Sequence, residues 1–128
     1  MTTATIDTID IGKEFAINPR GVRHEDSDVS AQRFREEFLE PIFTSPEKYS
    51  RPVKIVLHNA VGGFGASFLD EAFGELVRKK FITPANFDDT FELVADRGGF
   101  WLFARMIRTL VAEAAQEQPE NQQRVGAG

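Results

Sequence analysis

The chain has 128 residues and no cysteine, which suits one domain and excludes disulfide scaffolds, thiol catalysis and thiolate metal sites. Hydrophobic residues at 41% and charged residues at 27% exclude general disorder, and no apolar run is long enough to cross a bilayer. Fifteen basic against twenty acidic residues give a net charge of -5, which argues against a nucleic-acid or membrane-surface binder.

Residues 1–5 read as a flexible N-terminus. The first twelve residues carry neither the basic start nor the apolar block of a secretory signal, so the cytoplasm is the expected compartment. Ile6, Ile9, Ile11 and Phe15 among Thr, Asp and Lys predict a strand region. Asn18-Pro19-Arg20-Gly21 is turn chemistry, and an acidic loop follows over 24–28. Ser30 is placed to cap a helix that reaches about Glu40, where Pro41 stops or bends it. Phe34, Phe38 and Ile42 recur every four residues and mark its apolar face, with Leu39 beside them; Arg33, Arg35, Glu36, Glu37 and Glu40 fall on the wet face.

A polar connector over 44–52 leads into Val53-Lys54-Ile55-Val56-Leu57, a short β-branched strand that reads as covered on both faces. The glycine-rich turn Val61-Gly62-Gly63-Phe64-Gly65-Ala66 comes next, and Ser67 opens a helix to about Lys80. Phe68 or Leu69, Ala72, Phe73, Leu76 and Val77 form its buried stripe. Residues 84–87 make a loop or one helical turn, 91–95 a further strand, and 96–99 a turn. A last helix runs from about Phe100 to Gln116, burying Phe100, Phe103, Ala104, Ile107, Leu110, Val111 and Ala114. Twelve Phe against one Trp and one Tyr place most rings in the core, since phenyl carries no polar handle. The polar stretch 116–128 has nothing to bury and reads as a disordered tail, leaving a domain over 6–115. Strand and helix alternate, so the expected class is α/β, with a small, mostly parallel (mixed) sheet of about four strands and helices packed on it.

Chemistry concentrates where the core strand passes through the glycine turn into a helix. Ligand and partner sites in such sheets form at the carboxyl ends of strands, and a helix N-terminus there attracts anions. His58, Gly65, Ala66 and Ser67 are therefore candidate anion contacts. Nucleotide motifs fail. Gly65-Ala66-Ser67 has no P-loop lysine, and Phe68 stands where the dinucleotide fingerprint needs Gly or Ala. Ser67 reads first as an N-cap accepting from the Asp70 amide, and second as a phosphoacceptor. His58, Ser67 and Asp70 are the only local group resembling a catalytic set, and the nucleophile-elbow pattern is missing. Asp26, Asp28, Ser30 and Glu37 mimic the spacing of a calcium loop, with Ala31 in place of its turn glycine, so no metal is expected. Trp101 and Arg105 share a helix face suited to a partner, or to an ordinary helix boundary.

Gly65-Ala66-Ser67-Phe68-Leu69-Asp70-Glu71-Ala72-Phe73, continuing through Val77, closely resembles the signature of the bacterial STAS-like domain family. Phe15, Gly21-Val22-Arg23 and Ser30-Ala31-Gln32-Arg33-Phe34-Arg35-Glu36 are weaker family-like pieces, and the likeness runs from about residue 6 to 112. The wider fold is that of anti-sigma factor antagonists. The resemblance implies a mixed sheet backed by helices and a switch that works by partner binding, not catalysis. In the antagonists, a serine at a helix start is phosphorylated by a kinase of the histidine-kinase-like ATPase fold, and phosphate blocks docking. Ala66 occupies the position of that serine here, with Ser67 matching its neighbour; Gly65 and His58 replace acidic residues.

The expected function is a non-enzymatic regulatory module without cofactor. The expected docking surface is Gly62, Gly63, Phe64, Gly65, Ala66, Ser67, Asp70 and Glu71, extended by Gly74, Glu75 and Arg78. The implied partner is a protein, a histidine-kinase-like ATPase by resemblance. A small-ligand or nucleotide sensor using the same helix start is the alternative, and a small enzyme the third reading.

Overall fold

The first element is strand β1 (Ile6–Asp10), which Asp10 terminates by capping a helical turn, α1 (Ile11–Glu14). Asp10 Oδ1 accepts from the Lys13 amide at 3.2 Å, and Glu14 Oε2 accepts from the Asp10 amide at 2.7 Å. This reciprocal capping ends the strand earlier than the Ile/Phe pattern over 6–15 suggests. The computed structural model describes residues 4–127, with side chains through residue 117.

Helix α2 covers 31–44. Ser30 caps it as expected, its Oγ accepting from the Arg33 amide at 3.2 Å. The helix does not end at Pro41. A wide turn over Arg35–Leu39, closed by Glu40 N–H to Arg35 O at 2.8 Å, precedes a further turn, Pro41–Thr44. Pro41 has no amide hydrogen, and its ring crowds the carbonyl four residues back in a regular helix; one extra residue in the turn relieves both.

Strand β2 (Tyr49–Val56) starts four residues before the expected Val53. It lies between β1 and β3 (Phe91–Val94), parallel to both. Ile9, Ile55 and Leu93 form one cross-strand row, and Thr8, Lys54 and Glu92 the next. The β1–β2 register slips between Ile6 and Thr8, alongside Pro52, which has no hydrogen to give the ladder. Among the described residues three strands form the sheet, against the expected four or so.

Helix α3 covers 66–78, again with a wide turn, Asp70–Gly74, in the middle. The short helix α4 (Phe87–Thr90) precedes β3, and α5 (Trp101–Ala127) follows it. Its backbone continues beyond the expected end at Gln116. The side chains of the expected loose tail lie outside the described residues from 118 onward, as do residues 1–3 of the expected flexible start.

Strands in the order 1-2-3, joined by crossovers of one hand, receive their helices on one side only. Ile9, Val53, Ile55, Leu57 and Phe91 are buried, while Lys54 and Glu92 on the opposite face are exposed. The sheet is therefore covered on one face, not two. Phe73 of α3 packs edge-on against Phe91, and Phe34 of α2 meets Phe68 of α3. Fully burying each such ring contributes roughly 1.5–3 kcal/mol. Helix α5 seats Ile107, Val111 and Ala114 against the body, largely on α3.

Candidate functional site at the strand exits

All three strands leave the sheet at one edge, and short side-chain bridges lock their exits together. Asn59 Nδ2, just beyond β2, donates to Asp10 Oδ2 at 2.7 Å, holding the end of β1. His58 Nδ1 accepts from the Asp96 amide at 3.1 Å, holding the exit of β3. The Gly62 amide donates to Ile17 O at 3.1 Å. Gly12 approaches Asn59 so closely that a Cβ there would lie 2.1 Å from its carbonyl carbon and oxygen. His58 was expected to face an anion; one ring nitrogen instead fastens two strand ends. Asp10, Asn59 and Asp96 carry no signal in the sequence, because bridges between separate strand ends have no local spacing.

On this frame sits the bend into α3. Val61, Gly62, Gly65, Ala66 and Ser67 are exposed. Gly63 has φ +78°, open to glycine at little cost, and its α-carbon faces the Phe103 ring. Phe64 is buried, with ring centroids 5.9 Å from Phe68 and 5.3 Å from Phe103, so it anchors the bend. Gly65, with extended backbone, is the N-cap of α3, and no side chain caps the helix. Ser67 lies inside the first turn, two residues past the cap position. The Asp70 amide donates to backbone carbonyls of Ala66 and Ser67. The expected Ser67–Asp70 cap is therefore corrected: the helix starts two residues earlier than the Ser-x-x-Asp pattern implies.

The remaining candidates turn toward the protein itself. Arg78 Nη2 donates to Asp70 Oδ1 at 2.7 Å and to Glu117 Oε2 of α5 at 3.3 Å, while its Nη1 donates to Glu75 Oε1 at 3.0 Å. Partial burial opposes the Arg78 charge, but Asp70 and Glu75 outweigh it and raise the pKa above the usual arginine range. Gly74 is buried. Glu71 is mostly covered and accepts from Arg35, whose Nη1 also donates to Glu71 O at 2.8 Å and whose Nε donates to Glu40 Oε2 at 2.9 Å. Arg35 is thus buried between the wide turns of α2 and α3, not on the wet face. Burial opposes its charge, and Glu71 and Glu40 overcome that, raising its pKa. The extra residue in each turn alters the helical period on which the wet-face assignment rests.

His58, Ser67 and Asp70 form no relay: His58 is bonded to Asp96 and Asp70 to Arg78. The calcium-like spacing also disperses. Asp26 Oδ2 accepts from the Arg23 and Val22 amides, which lowers its pKa, and Glu37 pairs with Arg33. At the start of α5, Trp101 is 55% and Leu102 48% exposed. A groove of about 330 Å³ runs from Ala66 along Leu102, Arg105, Met106, Thr109 and Leu110. The four-residue spacing of Leu102, Met106 and Leu110 is the signal in the sequence for this second stripe on α5.

Among the described residues no helix is long and apolar enough to cross a membrane. No curated protein and no solved structure matches the chain. A family model described as "STAS-like domain of unknown function (DUF4325)" matches residues 30–95, just over half of the chain. That stretch opens on the serine that caps α2 and closes one residue past β3, taking in the bend and all of α3, and the chain belongs to this STAS-like family.

Proposed function

We propose that this STAS-like domain is a non-enzymatic regulatory module that docks a protein partner through the bend into α3. The supporting observation is the exposed bend itself. Val61 at 69% exposure joins the exposed Gly62, Gly65, Ala66 and Ser67, and Leu102 at 48% lines a groove with Ala66, on a frame fixed by the three strand exits. Apolar side chains held outward on a rigid support suit docking, in which little order is lost on association. Asp70, Glu75 and Arg78 form the inner border of this surface, and Phe64 and Gly74 support it from below. By family resemblance the partner is a histidine-kinase-like ATPase. Ser67 is the accessible hydroxyl at the bend; phosphate there would add a charge of about -1.5 to -2 and oppose docking.

The test is capture of partners from the native host by the tagged full chain. Gly65 has nothing within 4 Å of a built Cβ, so Gly65→Glu places a charge on the bend without a clash. Gly65→Glu and Val61→Asp are expected to abolish capture while circular dichroism stays unchanged. Capture unaffected by both variants overturns the reading. Saturable thermal stabilisation by a nucleotide, lost in Gly65→Glu, would instead favour the small-ligand sensor using the same helix start.

A further inference from the structure

We propose that α5 pairs with α5 of a second copy of this chain, antiparallel, about an axis beside Thr109. One stripe of α5, formed by Ile107, Val111 and Ala114, is buried against the body. A different stripe, Leu102, Met106 and Leu110, lines the open groove, with Leu102 nearly half exposed. Thr109 and Ala112 are small and exposed, which lets another helix approach closely.

Charge identifies the occupant. Arg105 and Glu113 are exposed and have no ion pair or hydrogen bond among the described residues. Arg108 on the same helix pairs with Asp88 at 2.8 Å, and Arg78 is held by three carboxylates. Arg105 stands four residues before Thr109 and Glu113 four after it, about 6 Å to either side at the helical rise. An antiparallel copy turned about Thr109 brings Arg105 opposite Glu113 at both ends of the contact. A parallel copy sets Arg105 against Arg105. The face is thus self-complementary under a two-fold rotation, the most common symmetry of soluble oligomers.

This pairing is argued from α5 and does not rest on the docking role of the bend, although Ala66 lines the edge of the same groove. Its test is the solution mass of the full chain by sedimentation, with circular dichroism as the folding control. The parent chain is expected at twice 14.4 kDa. Arg105→Glu and Glu113→Arg are each expected to halve the mass, and the double variant to restore it. Because the chain has no cysteine, Thr109→Cys supplies a single thiol at the axis, expected to oxidise to a covalent dimer where Arg20→Cys does not. A parent chain that stays monomeric at its highest soluble concentration overturns the proposal. So does a dimer indifferent to both charge swaps, or a double variant that remains monomeric. The α5 variants are read by solution mass and the bend variants by partner capture, so failure of either reading is seen separately.

Discussion

The guanidinium of Arg35 is buried, yet it donates to Glu40, to the Glu71 carboxylate and to the Glu71 carbonyl. Removing one member of a buried ionic group strands the others and costs about 3–5 kcal/mol. Arg35→Met is expected to lower unfolding free energy by about that amount, read as a lower urea midpoint at unchanged slope. Arg35→Lys recovers only part of it, because a single ammonium lacks the planar fork that reaches both helices. An Arg35→Met variant as stable as its parent removes the network from the account of stability. At the surface, Glu36 sits below the usual carboxylate range because His24 Nε2 lies 2.7 Å from its Oε1, with Gln32 adding a second donor. A carboxyl lowered on folding lends stability that is complete above its unfolded pKa and disappears as pH falls through the folded value. His24→Ala is expected to move the Glu36 titration upward in a carbon-detected NMR series; an unmoved curve refutes the assignment.

Two serines precede apolar stripes in similar fashion, and only one of them caps a helix. Ser30 Oγ accepts from the Arg33 amide, whereas Ser67 sits inside α3, with Gly65 as the cap. Ser30→Ala is expected to cost about 1 kcal/mol, and Ser67→Ala to stay within about 0.5 kcal/mol of the parent, both from urea midpoints. Equal losses refute the helix starts described above. The contrast also shows what the sequence makes legible. The strand at Val53 to Val56 and the stripe from Phe68 to Val77 are located correctly, because a β-branched run and helical spacing are local signals that the core rewards. Arg35 is misplaced because the wide turns over Arg35–Leu39 and Asp70–Gly74 interrupt the period without a composition signal of their own. At the site, the exposed glycines and Ser67 follow from the motif. Asn59–Asp10 and His58–Asp96 do not, since each joins residues far apart in the chain.

At the scale of the whole molecule, the expected parallel order of strands holds, and the expectation of a sheet sheltered on both sides does not. Strand alternation in Lys54 and Val56 against Val53, Ile55 and Leu57 carries the hint, but a nearly all-apolar strand hides it. Amides of β2, flanked on both edges, are expected to exchange hydrogen more slowly than those of β1 and β3, each with one open edge. Faster exchange along β2 than along its neighbours contradicts the strand order. Helix α5 is attached mainly through α3 and the 84–88 segment, not through the sheet. The one tryptophan, Trp101, begins that helix, and the one tyrosine, Tyr49, begins β2. A melt followed by phenol absorbance therefore reports on the sheet, where Tyr49 is half-buried, while the indole of Trp101, already 55% exposed, changes little.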